Sequence, residues 1–86
     1  MTEKEIEEWL VLERHDITLP DGTIHSINAD RVFWNAFNFI RDYSSLSMED
    51  VVRLTRRTMI SKNCDFEAGL KCIITAAYRE IMKPLS

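Results

Sequence analysis

The sequence predicts a mainly α domain with a short β-strand or hairpin, and three observations carry that prediction. Thr23 to Asn28 alternate polar and apolar side chains directly after Pro20-Asp21-Gly22, a strong turn signal. The next stretch, through Tyr43, repeats aromatic residues at helical spacing and holds most of the aromatic side chains in the chain: Phe33, Trp34, Phe37, Phe39 and Tyr43. Two further segments, ending near Lys62 and Met82, also repeat apolar residues with a helical period.

The 86 residues make one domain, with residues 1–14 an acidic helical appendage and residues 15–83 the core. A chain of this length buries a modest core, and many such domains complete it by oligomerising. A hydrophobic content of 45% with 29% charged residues is ordinary for a globular protein, and two glycines and two prolines are too few for a linker. Net charge is −3 but uneven. Residues 1–16 hold six acids and two bases, residues 17–64 five acids and six bases, and residues 65–86 three of each. That balance excludes a large basic nucleic-acid surface and leaves scope for a small one in the middle of the chain. The cysteines, Cys64 and Cys72, read as free thiols, and His15 and His25 share no metal-type spacing with them. No apolar run approaches the roughly 18 residues of a membrane span. The acidic start is unlike a signal peptide, so a cytoplasmic protein without membrane contact is expected.

Each element has a local reason. Thr2 is placed to cap a first helix, with Glu5 completing a capping box. Ile6, Trp9 and Leu10 then form a narrow stripe, which either docks on the core or, with the surrounding acids, makes an arm for a protein partner. From Val11 to Leu19 the pattern loosens towards extended structure. In the strand that follows the turn, Ile27 and Ala29 point one way with His25, and Ser26 and Asn28 point the other. This strand pairs either in a hairpin across residues 17–28 or with another chain.

Asp30 is the N-cap of the next helix. Its apolar face holds Phe33, Phe37, Ile40 and Tyr43, widened by Trp34, Ala36 and Phe39, and calls for cover on more than one side. A second subunit is the natural source of that cover. After a break at Ser44-Ser45-Leu46-Ser47, Ser47 caps a helix with Met48, Val51, Val52, Thr55 and Met59 inward. Arg53, Arg56 and Arg57 lie on its other side, where charged residues ordinarily make a solvated face. Glu49, four residues before Arg53, is placed to pair with it. Asp65 caps the last helix, which stops before Pro84. Phe66, Leu70, Ile73, Ile74, Ala77 and Ile81 form its apolar face, and Ala68, Cys72 and Ala76 form a small-residue stripe beside Gly69 that admits another helix closely.

The chain carries no dinucleotide fingerprint, P-loop, zinc-protease motif or nucleophile elbow. Neither an enzyme activity nor a cofactor or metal is expected. A strand followed by helices suggests a different chemistry. A two-stranded ribbon fits the DNA major groove and reads base edges with its outward side chains. The helix N-terminus at Ser47 offers backbone N–H groups to a phosphate.

The run from His25 to Phe37 resembles the strand and first helix of the ribbon-helix-helix superfamily, in particular short bacterial members with a Phe-Trp pair and an extra third helix. Phe33-Trp34 matches the pair, Ser44 to Asp50 the following turn and helix start, and Asn63 to Tyr78 the third-helix pattern. The likeness covers residues 15–80. It implies a ribbon-helix-helix fold with an additional C-terminal helix, an intertwined homodimer, and a transcriptional regulator that binds double-stranded DNA. In that arrangement Ser26 and Asn28 face the groove, Ser47 and Met48 donate backbone N–H groups to a phosphate, and Arg31 adds a backbone contact. Arg53, Arg56 and Arg57 are weaker candidates, being further along their helix. The chain departs from the pattern at Asn28, where relatives have arginine, at Ala29 for leucine and at Lys71 for arginine. Losing the strand arginine removes the bidentate guanine contact, though asparagine can pair with an adenine edge. The alternative is a protein-interaction module on the same dimeric fold, favoured by the acidic first helix.

Overall fold

Turn and cap residues divide the described residues into six elements. The computed structural model describes residues 1–44 and 46–83. Along it run helix α1 (Glu3–Trp9), strands β1 (Leu12–Thr18) and β2 (Ile24–Asp30), and helices α2 (Arg31–Ser44), α3 (Met48–Lys62) and α4 (Phe66–Ile81). The fold is thus mainly helical with one two-stranded antiparallel sheet. Two expected features, the part of the break at Ser45 and the stop at Pro84, lie outside the described residues.

The strand pairs within its own chain. Pro20 sits at the second position of a tight turn, in which the Gly22 N–H donates to the Leu19 carbonyl at 2.9 Å. Gly22 takes φ +89, a conformation open to glycine at little cost. The Leu19 N–H then donates to the Thr23 carbonyl at 2.8 Å and closes the hairpin. Its register sets Leu12 opposite Asp30, Arg14 opposite Asn28, Asp16 opposite Ser26 and Thr18 opposite Ile24. Ile17, Ile27 and Ala29 are buried on one face, with His25 half-buried beside them and stacked on Phe66 at 4.2 Å between ring centroids. Ser26 and Asn28 lie exposed on the other, as the alternation predicts.

One core joins the hairpin to three helices. Ile17, Leu19, Ile27 and Ala29 meet Trp34, Phe37 and Ile40 of α2, Val51 and Val52 of α3, and Phe66, Leu70 and Ile74 of α4. Trp34 anchors the hairpin to α2, because its indole N–H reaches both the Glu13 carbonyl (2.9 Å) and the Ala29 carbonyl (3.1 Å). Each helix start is capped at the predicted residue, but the capping box expected at Thr2 and Glu5 is incomplete, because the Glu5 carboxylate accepts from the Thr2 hydroxyl rather than from its N–H. Thr2 accepts from the Glu5 N–H, the Asp30 carboxylate from the Phe33 N–H, Ser47 from Asp50 and Asp65 from Ala68. Asn63 ends α3 at φ 51, the left-handed position that asparagine tolerates better than most residues.

Several expectations change. The ladder of β2 extends to Asp30, beyond the six residues of clear alternation, because β1 continues opposite it. Arg53 pairs with Asp50 at 3.1 Å, one turn position nearer than the expected Glu49. Gly69 of α4 meets α3 closely. A Cβ built there would stand 3.1 Å from both the Thr55 carbonyl and Met59 Cγ, whereas Ala76 faces solvent. Tyr43 is 68% exposed and Phe39 39%, the latter edge-on to Tyr78 at 6.0 Å, so the far end of the α2 aromatic face is only partly covered by the described residues. Helix α1 buries no residue, leaving Ile6, Trp9 and Leu10 about half exposed.

Candidate functional site

Two of the five expected contact residues, Ser26 and Asn28, come together on the outer face of the hairpin. Alternation along two paired strands puts Arg14, Asp16 and Thr18 of β1 beside Ser26 and Asn28 of β2, all exposed. Ser26 donates to Asp16 Oδ1 at 2.5 Å. Arg14 stands directly opposite Asn28 and, among the described residues, has no salt-bridge partner. Arginine is thus present beside Asn28, on the neighbouring strand. Arg14 is not apparent from β2 alone, because it stands on the neighbouring strand. The signal was the turn itself, since a hairpin centred on Asp21 pairs residue 14 with residue 28.

The backbone of Asn28 is held from the opposite side. Its N–H donates to Glu67 Oε1 at 3.0 Å, and its carbonyl accepts from Lys71 Nζ at 3.3 Å. Both side chains come from α4 and lie one helical turn apart.

The other three expected residues sit apart from this face or are already engaged. Arg31 opens α2 and bonds Glu13 Oε1 at 2.8 Å, while Glu13 also meets His15 at 3.4 Å. The Arg31 bond, with the His15 bond after it, holds the Glu13 carboxyl below the usual glutamate range. At the start of α3 the Ser47 N–H donates to Asp50 Oδ2 in a reciprocal capping box. The Ser47 hydroxyl and N–H bonds keep the Asp50 carboxyl below its ordinary value. Met48 follows at the first helical position, where geometry supplies no intrahelical partner for the N–H. Glu49 and Asp50 beside it reduce the positive potential of that helix end. Met48 is half-buried and lines a shallow concavity with His15, Asp16, Asn38 and Arg41, so the start of α3 lies near β1.

The arginines of α3 are exposed. Arg56 reaches across to the hairpin turn and bonds Asp21 Oδ2 at 3.3 Å. Asp21 is held below its usual range first by the Thr23 N–H and also by Arg56.

On another side of the molecule, an apolar cleft of about 600 Å³ opens between α2 and α4, with Trp9, Val32, Phe33, Ala36, Ile74 and Tyr78 among its walls. Among the described residues, no three His, Cys, Asp or Glu side chains gather as a metal site, and no helix is long and apolar enough to cross a membrane. Cys64 and Cys72 are free and half-buried. No family model matches the chain, and no curated protein or solved structure matches it either.

Proposed function

We propose that the chain is a homodimeric DNA-binding protein of the ribbon-helix-helix type, acting as a transcriptional regulator, and that it meets the major groove with the outer face of its hairpin. The observation that carries this reading is the exposed Arg14–Asn28 cross-strand pair. Arginine suits a guanine edge and asparagine an adenine edge, so the pair can address two adjacent bases from one two-stranded ribbon. Ser26 adds a third hydrogen-bonding group. Arg31 and the Met48 N–H serve as phosphate contacts in this reading. Arg31 engages a phosphate by exchanging it for the Glu13 carboxylate.

The surface of the single chain supports the dimer. It exposes 6405 Å², against about 5,300 Å² for a compact monomer of this mass. The excess, roughly 1,100 Å², is comparable with the ~800 Å² that each partner contributes to a standard interface. The radius of gyration is 13.9 Å, where a compact chain of this length has about 12 Å. Val32, Phe39, Tyr43 and Tyr78 supply exposed apolar area around the α2–α4 cleft, and a second copy covers it.

Retention on duplex DNA, measured as salt is raised, tests the reading. A dimer that grips phosphates loses affinity steeply with salt. No retention at low salt excludes DNA as the partner, and a monomer by light scattering at micromolar concentration excludes the dimer.

A second reading, a protein-interaction module on the same dimeric fold, is favoured by α1. That helix carries Glu3, Glu5, Glu7 and Glu8 beside the half-exposed Ile6 and Trp9. An acidic amphipathic helix suits a groove with an apolar floor and basic rim. Deleting residues 1–10 leaves DNA retention intact under the first reading and abolishes partner binding under the second.

A further inference from the structure

The cleft between α2 and α4 has walls from three elements. Helix α2 supplies Val32, Phe33 and Ala36, α4 supplies Ile74 and Tyr78, and α1 adds Trp9. Its volume of about 600 Å³ lies within the range of roughly 300–1,000 Å³ that small-molecule sites occupy. Two of its three aromatic rings, Trp9 and Tyr78, keep 49% and 39% of their surface exposed, so a flat ring can lie against them.

The polar groups at the cleft are few. Asp30 commits its carboxylate to the Phe33 N–H as the cap of α2. Asn35 and Thr75 are exposed and uncharged. Arg79 stands one helical turn beyond Thr75 and, among the described residues, has no salt-bridge partner. Lys71, one turn before Thr75, belongs to an adjoining concavity that shares Asp30, Phe33 and Thr75 with the cleft. Its ammonium is taken by the Asn28 carbonyl at 3.3 Å. The charge left without an ionic or capping partner at the cleft is therefore a guanidinium.

We propose that the α2–α4 cleft is a binding site for a small aromatic carboxylic acid, its ring against the apolar walls and its carboxylate on Arg79. A carboxylate meets a guanidinium with two parallel hydrogen bonds, and it brings one negative charge for the one positive charge present. A phosphate head carries close to two charges, which cost more to bring against an apolar wall. Asn35 and Thr75 can bond a polar substituent on the ring. The inference goes beyond the DNA reading and does not require it. In the dimeric reading the second copy rests on the exposed rim at Phe39 and Tyr43, neither of which lines the cleft, and the acid lies beneath it.

Isothermal titration of the full chain with naphthaleneacetate, and with the uncharged naphthaleneacetamide, tests the site without DNA. The expected result is saturable binding of the acid, about tenfold tighter than that of the amide. Arg79→Gln, at an exposed position, should remove the preference for the acid. Thr75→Phe, also at an exposed position, places a ring in the cleft and should weaken both ligands by about tenfold. No binding, equal affinity for acid and amide, or an acid preference that survives Arg79→Gln overturns the proposal. So does binding that Thr75→Phe leaves unchanged, because the ligand then sits elsewhere. Sedimentation equilibrium with the acid present separates the two occupants. A dimer constant that weakens as acid is added shows that the second copy itself fills the cleft, and overturns the site. An unchanged or tighter constant supports an acid held beneath the contact. Acid binding by a chain that stays monomeric overturns the dimeric reading alone.

Discussion

Arg14 and Asn28 are cross-strand neighbours on the exposed face of the hairpin, separated in sequence by the whole of the turn. This relationship restores an arginine to a surface that appears, from β2 alone, to lack one. Both side chains are exposed, so neither contributes to the buried core.

Arg14→Ala is therefore expected to leave thermal stability within about 0.5 kcal/mol. If the hairpin reads DNA as proposed, the expected cost of Arg14→Ala to discrimination among DNA sites is about 1–3 kcal/mol at one base pair. On the same reading Asn28→Ala is expected to shift preference at an adjacent base, and Arg57→Ala to weaken binding evenly across sequences. Fluorescence anisotropy on a panel of duplexes at fixed salt separates these outcomes. An Arg14→Ala protein with an unchanged profile removes the hairpin as the reading surface.

Trp34 joins the strands to α2 through one indole N–H shared by the Glu13 and Ala29 carbonyls. Trp34→Phe keeps most of the ring but loses that donor, and is expected to cost about 1–2 kcal/mol. Trp34→Ala also opens a cavity and is expected to cost about 3–5 kcal/mol. Chemical denaturation gives both values. Equal stability of the Phe variant and the parent chain would show that the indole bonds contribute nothing net.

Gly69 is buried where α4 crosses α3. Replacing a helical glycine by alanine ordinarily stabilises by up to about 1 kcal/mol. Here the new methyl meets the Thr55 carbonyl at 3.1 Å and Thr55 Cγ2 at 3.3 Å. Backbone cannot yield as a flexible side chain can, so crowding of about 1–3 kcal/mol outweighs the propensity gain. Gly69→Ala should lower the melting temperature, while Ala76→Ser, on the exposed side of the same helix, should change it little. A higher melting temperature for Gly69→Ala would mean that the helices separate without cost.

Acid should weaken the fold through Glu13, Asp21 and Asp50. All three are held below the ordinary carboxyl values of 4.5 for Glu13 and 3.8 for the two aspartates. A depressed folded-state value means that the unfolded chain binds protons more readily. The contribution of each group is thus complete above the ordinary value and is lost as pH falls through the lower, folded one. Melting temperature should fall as pH drops below those values, and Asp50→Asn should flatten that limb. An identical acid limb in the Asn variant would exclude the α3 capping box as a source.

The elements themselves are legible from local chemistry. Thr2, Asp30, Ser47 and Asp65 each act on an N–H three residues away, so their caps can be seen without any fold. The Pro20-Asp21-Gly22 turn and the alternation after it likewise specify which strand residues face in and out. The candidate contacts are less legible, because their surroundings come from distant parts of the chain. Arg31 loses its freedom to Glu13, and Arg56 to Asp21, through pairings that no periodicity reveals.

The sequence by itself determined a turn, a strand after it and three capped helices, and the face on which Ser26 and Asn28 lie, because those depend on turn chemistry and on periods of two and 3.6 residues; that the strand pairs within its own chain came from the tertiary structure. Only the tertiary structure decided what stands beside Asn28. Arg14 arrives through strand register, and Lys71 arrives from 43 residues away. The helix that carries Lys71 is positioned by the summed burial of Phe66, Gly69, Leu70 and Ile74 in the core, and no local pattern around Asn28 contains that sum.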